Sequence, residues 1–133
     1  VLRQALQEIL DYTYSAFGAT DHEAARKIEP VEEVVDDLVA TLRSNHIRRV
    51  RDGQCTVYAG LTFLDILVNV ERIADQCSNV GVFTLSMFDK RIMDNHHDYI
   101  HALHQGKDPV FNQAYQETHD KYFGELKRIE RSK

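Results

Sequence analysis

The sequence predicts an all-α protein, an antiparallel up-down three-helix bundle with additional C-terminal helices. First, apolar residues recur at alternating spacings of three and four, which is the period of an amphipathic helix. Second, the 133 residues include only six glycines and two prolines, fewer than the many short turns of a β-sandwich or β-barrel need. Third, hydrophobic residues make up 43% of the chain and charged residues 28%, the balance of a folded globular domain.

The first helix is predicted over residues 1–17. Its apolar stripe consists of Leu2, Leu6, Ile9, Thr13 and Ala16. Gly18 follows this stripe, and a glycine can adopt the left-handed conformation that ends many helices. The second helix is predicted to begin at Thr20, because Thr20 and Glu23 have the spacing of a capping box.

The second helix is predicted to continue to Asp52 and Gly53, which are residues typical of a turn. Its buried stripe consists of Ala24, Ile28, Val31, Val35, Leu38 and Leu42. Pro30 lies inside this stripe and lacks the N–H that an interior helical residue donates. We therefore expect a kink or a fresh helix start near Glu29, and the kink is the preferred interpretation.

The third helix is predicted over residues 54–88. Its stripe of apolar or small residues consists of Gly60, Phe63, Leu67, Val70, Ala74, Cys77, Gly81, Thr84 and Phe88. Short connections join the three long helices, so consecutive helices are expected to run antiparallel. Residues 1–88 form the predicted bundle, and residues 89–133 form a helical extension that packs on the bundle or on a partner.

Two helices are predicted in this extension. Asp94 is expected to cap a short helix that runs through Leu103 and ends at Gly106. Asp108 and Pro109 are the residue types that favour the N-cap and first position of the last helix. The face of the last helix that is predicted to be buried consists of Phe111, Tyr115, Thr118, Tyr122, Leu126 and Ile129.

Two pairs of acidic residues are the candidate functional residues. Glu71 and Asp75 fall in an otherwise mostly apolar row of the third helix, where unpaired acids are rare. Residues four apart share one helix face, so these two can direct their oxygens to one point. Glu32 and Asp36 have the same spacing on the second helix. Antiparallel packing of the two helices would bring the pairs to a similar height.

Four converging carboxylates repel one another and need compensation. A metal ion bound through carboxylate oxygens supplies that compensation most directly. The alternative is that the first pair lies on an exposed helix edge, while the second pair binds Arg43 or Arg72 at the rim of the bundle. The spacing alone leaves both interpretations open.

These motifs resemble the PhoU family over residues 1–88. The resemblance comprises the acidic residues near position 21, the ExxxD sequence of residues 32–36 and, most specifically, the sequence ERIADQCSN of residues 71–79. It implies that metal ions bind to ExxxD carboxylates on two helices, and the matching positions are Glu32, Asp36, Glu71 and Asp75. Iron, magnesium, manganese and zinc are the candidate ions. Gln76 departs from the family pattern, which commonly has histidine there.

The C-terminal part is similar to the cytoplasmic extension of sodium/phosphate cotransporters, through the histidines and tyrosines of residues 88–101 and the tyrosine-rich last helix. This similarity implies a cytoplasmic regulatory domain whose membrane transporter portion lies in the same chain. Whole PhoU proteins contain two three-helix units, so a homodimer is expected to rebuild the pair through the aromatic face of the last helix. The helical pattern already running at Val1 suggests a fragment of a longer chain.

Composition and motifs argue against several other functions. A net charge of −5 and an isoelectric point near 5.8 disfavour binding to nucleic acid or anionic lipid. The longest apolar stretch, residues 58–70, is too short for membrane insertion. Cys55 and Cys77 lack CxxC spacing and fit the reduced thiols of a cytosolic protein. No catalytic motif is recognisable, so the protein is predicted not to be an enzyme.

Two other metal-binding interpretations remain. The first is a free-standing helical-bundle carboxylate-metal protein or enzyme; its ferritin-like form needs Glu-x-x-His pairs, but valine and alanine follow Glu32 and Glu71 by three residues. The second is a zinc site, because His97, His101 and His104 recur at spacings of four and three and could share one helix face. The simpler interpretation of these histidines is a polar helix face.

Overall fold

The computed structural model describes residues 1–133 and contains six α-helices and no β-strand. The helices are α1 (Leu2–Gly18), α2 (His22–Arg51), α3 (Val57–Ser86), α4 (Lys90–Asp94), α5 (His96–His104) and α6 (Pro109–Arg131). The prediction of an all-α fold is therefore confirmed. None of these helices combines the length and the apolarity that crossing a bilayer requires.

The second helix is the centre of the molecule, because α1, α3 and α6 all pack against it. Gly81 of α3 lies against Ile28 near the start of α2, and Gly60 lies against His46 near its end. The two helices therefore run antiparallel, as predicted. The fully buried apolar side chains of α2 are Ile28, Val31, Val34, Val35, Leu38 and Val39. Burial of such side chains is the main force that holds the other helices to α2.

The last helix runs parallel to α2. The Tyr115 hydroxyl donates to Asp37 Oδ2 at 2.5 Å, and further along both helices Asn45 Nδ2 donates to Glu130 Oε1 at 3.2 Å. Tyr122 is almost completely buried in the common core. The aromatic face that was expected to form a homodimer is therefore covered within the chain by α2, and that part of the prediction is wrong.

The predicted burial of the last helix holds for most of its face. Phe111 and Tyr122 are buried, while Tyr115 and Leu126 are half-buried and pack against the core. Ile129 is exposed, because it lies in the last turn of α6 beyond the centre of the contact with α2. Asp108 caps this helix by accepting from the amides of Val110 and Phe111, as predicted.

The connection between α1 and α2 differs from the prediction by one to two residues. Gly18 remains in α1, and Thr20 takes the left-handed conformation, with φ of 52°. With its backbone in that conformation, Thr20 does not cap α2; Asp21 does, by accepting a hydrogen bond from the Ala24 amide at 3.2 Å. A carboxylate serves this position as well as a hydroxyl does.

The second helix continues through Pro30, so the alternative of a fresh start near Glu29 is wrong and the kink stays a prediction. The ends of α3, α4 and α5 also differ from the prediction. The third helix begins after its cap Thr56 and ends at Ser86, so Phe88 lies beyond it and is exposed. Asp94 is the last residue of α4, and Asn95 caps α5 by accepting from the Asp98 amide.

The close approach of α2 and α3 at Gly81 leads to a prediction about stability. A Cβ atom there would lie 3.0 Å from Ile28 Cδ1 and 3.4 Å from the Ala25 carbonyl oxygen. We expect Gly81→Ala to lower the free energy of unfolding by about 1–2 kcal/mol through overpacking. Gly124→Ala is the control, because Gly124 lies within α6 with nothing near its Cβ position. The control should raise that free energy by about 0.5–1 kcal/mol in chemical denaturation.

Equal stability of the two variants in the same denaturation experiment would contradict the close approach of the helices. Both substitutions gain the same helix propensity, so their difference reports only the contact of the added methyl group with α2.

Candidate metal centre

Three acidic side chains meet where α2 packs against α3. Glu32 and Asp36 lie one turn apart on α2, and Asp75 reaches them from α3. One carboxylate oxygen from each residue lies within 4.8 Å of the others. The structure therefore brings together three of the four carboxylates that the sequence analysis proposed as metal ligands.

Glu71, the fourth proposed ligand, does not join this group. Its Oε1 atom lies 3.2 Å from Nη2 of Arg43 on α2, and the pair is partly exposed. This is the pairing with Arg43 that the alternative interpretation expected for the acids of α3. Glu71 still acts on the site electrostatically, since its charge contributes to the raised pKa of Asp36.

Glu32 is the most unusual member of the group, because it is buried and its polar neighbours are other carboxyl groups. Its exposed fraction is 6%, no amide or basic side chain donates to it, and it shares a hydrogen bond with the Asp75 carboxyl group. The polar groups that act on it are the carboxylates of Glu29, Asp36 and Asp75. Burial, followed by the repulsion from these three acids, raises the pKa of Glu32 to about 9.

The site opens to solvent on the side of α3. Asp75 is exposed and Asp36 is half-buried, whereas Glu32 closes the inner side. Burial and the charges of Asp75 and Glu71 raise the pKa of Asp36 to about 6. The three acids thus differ in their exposure to solvent. Asp75 offers an accessible oxygen at the opening of the site, and Glu32 offers a buried one at its inner side.

Such a donor set fits a hard metal ion. Carboxylate oxygens are the ligands that magnesium, manganese and ferric ions prefer, and a bound cation would offset the repulsion around Glu32. Water supplies the remaining ligands of such ions in many sites, so three protein carboxylates are sufficient. Protonation of Glu32 is the other way to relieve the repulsion, and it competes with metal binding.

A second group of side chains adjoins the first, and the sequence analysis did not predict it. Glu29 is buried one turn before Glu32; its Oε2 accepts from the Ser78 hydroxyl at 2.5 Å, and its Oε1 lies 2.8 Å from His104 Nε2. Ligand atoms of Glu29, Glu32 and His104 also lie within 4.8 Å of one another. The spacing of Glu29 and Glu32 places both on one helix face, which was an available signal for Glu29.

The three histidines of the extension do not form the zinc site that their spacing allowed. The rings of His97 and His101 are exposed and stack with centroids 6.3 Å apart. His104 turns towards α2 instead and lies between Glu29 and Glu33. No pattern in the sequence shows this contact, because it depends on how α5 folds back onto α2.

Comparison with known proteins gives a single family. A family model described as PhoU domain matches residues 2–84, which cover α1, α2 and all but the end of α3. No curated protein and no solved structure matches the chain. The matched region contains all four proposed ligands, whereas His104 lies outside it.

The raised pKa of Glu32 predicts an unusual dependence of stability on pH. Between its ordinary pKa of 4.5 and the folded value of about 9, the folded state binds the extra proton. The contribution of Glu32 to the free energy of unfolding therefore falls as pH rises through that window. In the presence of a chelator, Glu32→Gln should match the wild type near pH 4.5 and unfold at a temperature on the order of 5 °C higher near pH 8.

Glu117→Gln is the control for this measurement, because Glu117 is exposed on α6 and bonds only to Gln113. Thermal unfolding followed by circular dichroism should show no change in this variant across the same pH range. A Glu32→Gln protein that loses stability as pH rises would contradict the assigned environment.

Proposed function

The chain belongs to the PhoU domain family, and from this premise we propose that it is a non-enzymatic regulatory domain of sodium-dependent phosphate transport that binds metal ions through its ExxxD carboxylates. The observation that carries the metal-binding part is the meeting of Glu32, Asp36 and Asp75 between α2 and α3. The family membership supports the association with phosphate regulation. Its proposed location is the cytoplasmic face of the membrane.

In this proposal each residue of the site has a distinct part. Glu32 supplies the inner oxygen, Asp36 the second and Asp75 the accessible one, so an ion would enter past α3. A bound cation supplies positive charge that joins α2 to α3 at this point. Arg43 holds the Glu71 carboxylate beside the site, from which it adds negative charge without occupying a ligand position.

The association with a transporter rests on the similarity of residues 88–101 and the last helix to the extension of sodium/phosphate cotransporters. The test is the sequence of the full-length chain. Apolar spans of about 20 residues before Val1 would support a transporter portion in the same protein. A chain that begins with a methionine directly before Val1 would contradict it and favour a free-standing protein.

A free-standing carboxylate-metal enzyme is the weaker proposal. Ferritin-like enzymes take Glu and His from one helix three residues apart, but Val35 and Ala74 occupy those positions. The only histidine beside the carboxylates comes from α5. No observation in the site favours a reaction over simple binding.

We expect Asp75→Asn to lower the affinity for Mn²⁺ several-fold, because the amide removes one anionic ligand at the mouth of the site. Asp75 is exposed, so the substitution should leave the unfolding temperature nearly unchanged. Asp65→Asn is the matched control, since Asp65 is exposed on the same helix and belongs to neither group of candidate ligands. Calorimetric titration of chelator-treated, untagged protein measures the affinities.

The control should bind Mn²⁺ as the wild type does. Wild-type protein that binds neither Mn²⁺ nor Mg²⁺ would overturn the metal-binding proposal, whereas loss of binding in both variants would show only that binding depends on total charge.

We further propose that the chain forms a homodimer through α3 rather than through α6. The start of α3 exposes a row of large apolar side chains, with Val57 exposed by 68%, Tyr58 by 83% and Leu61 by 59%. Exposed apolar rows of this kind often mark contact surfaces. A second copy is the proposed partner, because the family resemblance implies pairs of three-helix units and an identical copy presents the same apolar row for a symmetric contact.

The prediction is a dimer in sedimentation velocity for the wild type and a monomer for Leu61→Glu, because a buried charge in the interface is strongly unfavourable. Val110→Glu provides the control, since Val110 is equally exposed but lies on α6. A wild-type protein that stays monomeric at high concentration would refute the homodimer.

A further inference from the structure

We propose that His104, Glu29 and Glu32 form a second metal position, which takes a divalent transition metal such as zinc and fastens α5 of the extension to α2. The proposal shares Glu32 with the carboxylate site and in that respect rests on the proposed function. It differs in its ligands, in its ion and in the helix that it recruits, which lies outside the matched family region.

The geometry places one nitrogen and two oxygens around a common point. His104 Nε2 lies 2.8 Å from Glu29 Oε1, and one ligand atom from each of Glu29, Glu32 and His104 lies within 4.8 Å of the other two. Glu29 and Glu32 are both buried, while about a third of the His104 side chain is exposed. An ion can therefore reach the position from solvent past the imidazole and meet carboxylates that the protein largely buries.

The other nitrogen of His104 is held as metal-binding histidines usually are. His104 Nδ1 lies 2.9 Å from Glu33 Oε2. His104 Nε2 is likewise at hydrogen-bonding distance from Glu29 Oε1, so an ion at this position would replace the proton that these two atoms share, while Nδ1–H would still donate to Glu33. A histidine that donates its far N–H to a carboxylate is the common second-shell arrangement of protein metal sites, because it fixes the ring and makes the ligating nitrogen more basic.

The remaining groups are also oriented by neighbours. The Ser78 hydroxyl donates to Glu29 Oε2, so Oε1 is the atom turned towards His104. The His104 ring stacks on Phe111 with centroids 5.7 Å apart, which limits its rotation. Glu29 and His104 thus each have a contact that fixes the orientation of the side chain. A preorganised set of ligands binds an ion at a smaller entropic cost.

Glu32 supplies the independent observation that points to an ion. The Glu32 side chain is more than nine-tenths buried among other carboxyl groups, and such a group is stabilised either by a shared proton or by a cation. No arginine or lysine pairs with Glu32, and Arg43 binds Glu71 instead. Glu32 belongs to both groups of candidate ligands, with Glu29 and His104 in one and with Asp36 and Asp75 in the other, so it is the residue that the two positions share.

The ligand chemistry separates the two positions. The group of Glu32, Asp36 and Asp75 offers oxygen alone and suits hard ions such as Mg²⁺. An imidazole nitrogen adds affinity for Zn²⁺ and related transition metals over Mg²⁺. The second position therefore selects a different ion from the first and joins the C-terminal extension to the bundle when it is filled.

The experiment is calorimetric titration of the chelator-treated chain with Zn²⁺ in the presence of excess Mg²⁺. We expect His104→Gln to weaken Zn²⁺ binding by about tenfold or more, because it removes the nitrogen ligand. His101→Gln is the matched control, since His101 lies on the same helix and is exposed. It should bind Zn²⁺ as the wild type does, and the unfolding temperatures of the metal-free variants show whether each protein is folded.

A second readout separates a ligand from a merely structural histidine. In the wild type, Zn²⁺ should move the Nε2 resonance of one imidazole in long-range ¹H–¹⁵N spectra and slow hydrogen exchange in α5. Both changes should be absent in His104→Gln and present in His101→Gln. A histidine that only pairs with Glu29 and Glu33 would show neither change on addition of Zn²⁺, which would overturn the proposal.

The outcomes for the two sites are distinguishable. Wild-type Zn²⁺ affinity in His104→Gln, together with loss of Mn²⁺ binding in Asp75→Asn, overturns the second position and leaves the proposed function standing. Weakened Zn²⁺ binding in His104→Gln, together with wild-type Mn²⁺ affinity in Asp75→Asn, supports the second position and contradicts the carboxylate site. A wild-type chain that binds neither ion overturns both.

Discussion

The burial of the Glu32 carboxylate among other acids is the constraint around which the contact of α2 with α3 and α5 is arranged. The neighbouring donors all go to other acids: Arg43 to Glu71, Ser78 to Glu29, and His104 to Glu29 and Glu33. Each of these contacts settles one acid at the edge of the cluster and leaves Glu32 at its centre among other carboxyl groups. Such burial is costly unless the carboxylate takes up a proton or a cation.

The fold could be predicted well from the helical period because one continuous core dictates it. The stripe predicted for α3 is buried from Leu67 to Thr84, since a long amphipathic helix has only one face to turn inward. Helix ends were less predictable. Thr20 and Asp21 are both good caps, and the choice between them depends on the left-handed turn at Thr20 that brings α2 back along α1.

The candidate site was predictable only where one helix determines it. The ExxxD spacing places Glu32 beside Asp36 whatever the rest of the chain does. The same spacing predicts one role for both Glu71 and Asp75. In the structure Asp75 lies near Glu32 whereas Glu71 pairs with Arg43, and this difference depends on the relative height of the two helices. The contact of Glu29 with His104 joins residues 75 positions apart, and no local pattern encodes it.

The parallel arrangement of α6 on α2 has a consequence for biosynthesis. Tyr122 is buried in the core, and its hydroxyl donates to Glu8, a residue 114 positions earlier in the chain. A contact of such long range forms late, because closing so large a loop is entropically unfavourable. While the ribosome is still translating the segment from Pro109 onward, one side of α2 stays uncovered on the nascent chain. That side of α2 therefore keeps apolar surface exposed until α6 has been made.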